Sequence, residues 1–193
     1  MLLDPLYAFV FLGLFSPGPN IILLTASGAR FGFKRTFPHV LGVALGVGIT
    51  AGLTAFGLGA ILLALPKLFV LLKVLAALWI LWIAWGLWTA TPSVVGESAA
   101  PMTFFQAVLF QWVNPKIWAI ALAAVSAYSA GLTPIGEALR MASAFSGINL
   151  FVCIFWTSAG TLLTFLLTSD VAWRIFMRCM ALALAAFSLM IFV

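Results

Sequence analysis

Charge is what this chain lacks most. Only 7% of its 193 residues are charged, with four acids, nine Lys or Arg and one histidine. A soluble domain carries about a quarter charged residues, so there is too little polar surface here to clothe a water-facing globule. The same scarcity removes functions. One histidine and four acids are a poor source of the clustered ligands that a metal site or a membrane enzyme needs; no metal, no cofactor and no enzymatic activity are expected. The two cysteines, Cys153 and Cys179, sit in separate apolar runs, which excludes a disulfide scaffold, zinc spacing and a Cys-x-x-Cys pair. No basic domain is present to track phosphates, so nucleic acid is not an expected partner, and the net charge of +5 fits membrane orientation better. The start, Met1-Leu2-Leu3-Asp4-Pro5, has no Lys or Arg and no small-residue cleavage site, so the first apolar run reads as a retained helix rather than a cleaved leader.

What is present is apolar length. Hydrophobic residues make up 65% of the chain and the mean hydropathy is +1.26. Six hydrophobic segments can be marked, at about 5–26, 39–65, 67–90, 103–131, 141–167 and 171–193. Each is apolar on every face over 20 or so residues, which a helix can carry through lipid with its backbone satisfied and a barrel strand of about ten alternating residues cannot. The expected fold is all-α: one polytopic membrane domain over 1–193 with six transmembrane helices. The stretch 91–102, rich in Pro, Ser, Gly and Ala, is a linker at the midpoint, between halves of about 1–90 and 103–193. The loop Arg30-Phe31-Gly32-Phe33-Lys34-Arg35 has three basic residues and no acid, which places it in the cytoplasm. Counting onward, the linker and the Asp170–Arg174 turn are inside. Both termini, Lys67 and the Glu137/Arg140 loop are outside.

Two spans are interrupted. The first contains Ser16-Pro17-Gly18-Pro19-Asn20, where two prolines remove backbone donors and clash with the preceding turn. The fourth contains Asn114-Pro115-Lys116 and, at about 43 Å if continuous at 1.5 Å per residue, overruns the ~30 Å hydrocarbon core. Pro19 and Pro115 are 96 residues apart, near half the chain length, and each precedes two further spans. Two three-helix halves must insert in opposite orientations, so helices 1 and 4 are broken at matching places in two inverted repeats, the best sequence pointer to a transporter site. A half-helix starting after Pro19 offers bare N–H groups to a carboxylate, and one ending at Ser16 offers carbonyls to an ammonium. Asn20 and Asn114 add side-chain donors and acceptors. Lys116 lies inside a span at a cost of about 2.5–3.5 kcal/mol on the insertion scale, which suggests that it holds a carboxylate or a partner backbone carbonyl; the alternative is that it lies near the cytoplasmic interface and snorkels. The candidate substrate-binding set is therefore Pro17, Gly18, Pro19, Asn20, Asn114, Pro115 and Lys116.

With these motifs in place, the chain resembles the LysE/RhtB family of amino-acid exporters. Pro17-Gly18-Pro19-Asn20, the basic loop 30–35, Gly42-Val43-Ala44-Leu45-Gly46 and Asn114-Pro115-Lys116 carry the likeness over essentially the whole length. The resemblance implies a bacterial inner-membrane exporter of amino acids or close derivatives, working by alternating access and driven by the proton gradient, with a small amino acid and the lipid bilayer as partners and a homodimer left open. A thiol-reductant carrier of similar architecture would need a cysteine beside each break; none lies near Pro19 or Pro115, and that reading is set aside. A membrane enzyme or assembly factor without transport is the alternative from another class.

Other residues read more structurally. Gly42, Gly46, Gly48, Gly52 and Gly57 fit close helix packing. Trp79, Trp82, Trp85 and Trp88 form a stripe suited to packing or to the interface belt. Thr103, Gln106, Gln111 and Asn114 share one side of the fourth span and either line a pathway or face headgroups. His39 is placed at a helix start and is a weak proton-relay candidate; Cys153 and Cys179 are taken as small core residues. No carboxylate lies deep in a span, so either water, Asp4 or His39 relays a proton or the protein is a facilitator.

Overall fold

A computed structural model of the chain describes residues 4–91, 100–164, 167–190 and 192. Among these residues all regular structure is helical. Helix α1 spans Pro5–Phe15 and is started by Asp4, whose side chain accepts from the Leu6 amide at 3.0 Å while Pro5 occupies the first turn. Helix α2 follows at once over Pro19–Leu53 and passes into a π-helical turn, Thr54–Leu58, and a short α3, Gly59–Ala64. Helix α4 spans Pro66–Trp88, α5 Phe104–Val113, α6 Pro115–Tyr128, α7 Pro134–Leu163 and α8 Asp170–Met190.

Among the described residues, four stretches are long and apolar enough to cross a membrane: Pro19–Leu58, Val70–Trp88, Pro134–Leu163 and Asp170–Met190. Helices α5 and α6, bent by 66° at Asn114, make a fifth if taken together. The expected first and second spans are not separated by a loop. α2 runs through the basic segment, and its single non-helical residue is Gly32, at φ 76° and ψ 166°. That conformation is open to glycine and strained for any residue with a Cβ, so one residue turns the chain where six were expected to. Helix resumes immediately, which puts Lys34 and Arg35 on its first turn and His39 inside a helix rather than at its start. The fifth span likewise begins early, at Pro134. Thr133 caps it by accepting from the Gly136 amide at 3.2 Å, so Glu137 and Arg140 ride on helical turns and not on a loop.

The core forms two connected clusters. One joins α1, α2, α6 and α7 around Leu6, Val10, Leu24, Val47 and Phe145. The other joins α2, α4, α5 and α8 around Ile80, Phe110, Met177 and Leu184. Small residues set the spacing between α2 and its neighbours. A methyl at Gly28 would lie 2.3 Å from the Thr157 carbonyl oxygen, and one at Gly160 would lie 2.1 Å from that of Thr25, so α2 and α7 touch backbone to backbone. Gly42 and Gly46 meet Phe104 and Val108 of α5, whereas Gly48 and Gly52 meet Ala142 and Ala138 of α7. Gly57 departs from the expected packing row. It faces open space and holds φ 118° in the π-helical turn, so its role is conformational. Cys153 is buried, but Cys179 is exposed on α8 rather than a core residue.

Candidate functional site

Both proline motifs end a helix and start another. At the first, α1 stops at Phe15, Ser16 and Gly18 are extended, and Pro19 opens α2. Gly18 supplies no side-chain cap and Pro19 has no N–H, while the first bond back is from the Ile22 amide to the Gly18 carbonyl at 3.1 Å. The amides of Asn20 and Ile21 thus have no acceptor within the helix. The second break repeats the pattern in one residue. Asn114 is extended at φ −83° and ψ 101°, gives no side-chain cap, and is followed by Pro115 at the first position of α6.

The breaks meet. The Lys116 ammonium donates to the Ser16 carbonyl, and also to the Pro17 carbonyl at 3.3 Å. Of the two partners suggested for Lys116, the backbone carbonyl is the one observed. This changes the sequence reading of the first break, because the carbonyls at the end of α1, expected to face a substrate ammonium, hold the chain's own cation. Asn20 and Gln111 form a reciprocal pair: Asn20 Nδ2 donates to Gln111 Oε1 at 2.8 Å, and Gln111 Nε2 donates to Asn20 Oδ1 at 3.2 Å. Gln111 also donates to the Ala107 carbonyl at 2.9 Å. Asn114 Nδ2 reaches Gln111 Oε1 only at 3.5 Å, and Asn114 Oδ1 is buried with no hydrogen-bond partner. A buried, unpaired amide oxygen costs about 1–3 kcal/mol, so it asks for a donor.

The space between the breaks is small. A cavity of about 10 Å³ is lined by Gly18, Asn20, Asn114, Lys116, Asn149 and Cys153, room for a single water. Cys153 is distant in sequence from both prolines but joins them here, which weakens the sequence argument that no thiol stands near a break. It is one thiol, and Cys179 lies on α8.

Gln111 is the residue that sequence reading underrated. It is fully buried and central to the network; its place three residues before Asn114 on the same helix face was the available clue. Thr103 and Gln106 belong elsewhere. They form a reciprocal cap at the start of α5, with the Gln106 amide bonded to Thr103 Oγ1 at 3.3 Å and the Thr103 amide to Gln106 Oε1 at 2.9 Å.

Two further features flank the breaks at opposite ends of the first helical pair. At the start of α1, Arg140 Nη2 binds Asp4 Oδ2 at 2.5 Å and Nη1 donates to the Tyr128 carbonyl at 2.6 Å. Glu137 Oε1 there accepts from the amides of Ala130 and Leu132 and from the Ser129 hydroxyl. This clasp ties the start of α1 to the α6–α7 connection. The arginine and its hydrogen bond hold the Asp4 carboxyl below its usual range. At the other end, a larger cavity of about 430 Å³ lies between the 19–31 part of α2 and α4, and its lining includes Arg30, His39 and Trp79.

A helical, lipid-adapted chain whose two proline-broken helices converge is the architecture of a membrane transport protein. The LysE type translocator family matches residues 11–193, and the chain belongs to that family. No curated protein and no solved structure matches it at a significant level.

Proposed function

We propose that the chain exports amino acids or close derivatives across the bacterial inner membrane by alternating access, coupled to the proton gradient. The observation that carries this is the meeting of the two breaks, with Lys116 of one bonded to the carbonyls of the other. Six crossings follow if α1 and 19–31 make the first, 33–58 the second, α4 the third, α5 with α6 the fourth, α7 the fifth and α8 the sixth. The halves are then inverted, and the breaks occupy corresponding helices.

Between the breaks the chemistry suits a zwitterion. The N-terminal amides of α2 and α6 favour a carboxylate, and Asn114 Oδ1 is an acceptor in want of a donor, which a substrate ammonium supplies. The 10 Å³ cavity admits no amino acid, so this conformation is a closed one. Orientation by the basic residues puts the Asp4–Arg140 clasp outside and the 430 Å³ cavity inside, as expected of a carrier shut toward the exterior.

The test is efflux of a panel of labelled amino acids from loaded cells and from proteoliposomes with an imposed proton gradient. Export of at least one, abolished by a protonophore, is the expected result. Absence of any protein-dependent efflux across the panel rejects transport.

A further inference from the structure

The cavity of about 430 Å³ lies on a different face of α2 from the breaks and holds a one-sided set of polar groups. Ser27, Arg30, His39 and Gln106 line it, and among the described residues no Asp or Glu does. Arg30 has no ion pair among the described residues; its Nε is buried without a hydrogen-bond partner and its guanidinium carbon stands 5.0 Å above the Phe31 ring. His39 is 2% exposed, with Nδ1 equally unpartnered. Gln106 has its Oε1 engaged by the Thr103 amide, so what it has left to offer is its NH₂ group. Ser27 adds a hydroxyl. The polar end of the cavity is therefore rich in donors and bears a positive charge, with no carboxylate opposite it among the described residues.

The remaining wall is apolar. Trp79 is fixed edge-on against Phe110, with centroids 5.5 Å apart and planes at 89°, and Ile83, Leu87 and Met102 continue the surface. Leaving the Arg30 Nε and the His39 Nδ1 buried without hydrogen-bond partners is costly, and an anion arriving with an apolar body satisfies both surfaces at once. The volume is that of a site for one small molecule.

We propose that this cavity binds an amphipathic carboxylate, a molecule with one anionic head and an aromatic or branched apolar body. The head engages Arg30, His39 and the Gln106 amide, and the body lies on Trp79. Resting on the transport reading above, this makes the cavity the inner loading position and an apolar amino acid or its N-acyl derivative the class of substrate.

The full-length protein in phosphatidylcholine nanodiscs is titrated with N-acetyl-L-phenylalanine and with its uncharged amide, by calorimetry. The acid is expected to bind at least tenfold more tightly than the amide. Arg30→Gln should weaken the acid at least tenfold and leave the amide unchanged. Gln106→Glu keeps the helix cap, since Glu accepts from the Thr103 amide equally well, but sets a carboxylate in the cavity and should abolish acid binding in a protein that still melts as wild type. Equal binding of acid and amide overturns the proposal, as does an unaltered acid affinity in Gln106→Glu. Loss of acid binding when phosphatidylglycerol replaces phosphatidylcholine also overturns it, by identifying a lipid as the occupant. Binding is read without a gradient, so binding in a protein that exports nothing rejects the transport reading alone, and export without binding rejects the cavity alone.

Discussion

The two helix breaks are built from similar local chemistry and contribute different things. The first, at Ser16-Pro17-Gly18, presents backbone, and two of its carbonyls receive a charge from elsewhere. The second, at Asn114, is one residue long and presents side chains, namely the lysine that supplies the charge and an amide oxygen left unpaired. If the breaks were duplicates, either could be lost with half the effect. Because they are complementary, a change at one should be felt as a defect in the other.

Lys116→Ala tests that claim most severely. It strips the ammonium from Ser16 and Pro17, and hydrogen bonds to a charged group are worth about 1.5–3 kcal/mol. Export should fall roughly ten- to a hundredfold, at 1.4 kcal/mol per factor of ten, with Lys116→Arg retaining part of it. Unchanged efflux in Lys116→Ala would remove the lysine from the site. Next comes the amide pair. Asn20→Ala leaves the fully buried Gln111 short of a partner, at about 1–3 kcal/mol, seen as a lower melting temperature in detergent. Gln111→Ala on that background should add little, and strict additivity in the double-mutant cycle would show that the two amides do not act as a pair.

The smallest effect is expected far from either break. Asp4 has its carboxyl held below the ordinary value of 3.8 by Arg140, so its folded form contributes stability above that value and loses it as pH falls through the depressed one. Wild type should therefore melt slightly above Asp4→Asn at neutral pH, and the gap should close once the medium is more acid than the ordinary carboxylate range. A gap that persists at low pH would assign the difference to something other than the ion pair.

Much of this was legible in the residues because lipid leaves few choices. Apolar length announces a helix, and Pro-Gly-Pro or Asn-Pro in such a run announces a break, so both discontinuities fell where the motifs put them. Boundaries were less legible. The 30–35 segment read as a loop because its charges cluster, yet lysine and arginine can sit on a helix turn and extend toward the interface, and only Gly32 departs from helical geometry. The partner of Lys116 could not be chosen from sequence, since a carboxylate and a carbonyl satisfy an ammonium alike. The Asp4–Arg140 pair joins residues 136 positions apart, and no local pattern in the sequence announces a contact over that distance.

The mutual approach of Gly28 to Thr157 and Gly160 to Thr25 has a mechanical consequence. A seam that cannot take one methyl group on either side keeps the two backbones in direct contact, and we expect the 19–31 rod and the C-terminal turns of α7 to travel as a single strut. On that expectation, a rearrangement that widens the 10 Å³ space would come from what lies against that strut: α1 swinging about Ser16, or α6 about Asn114.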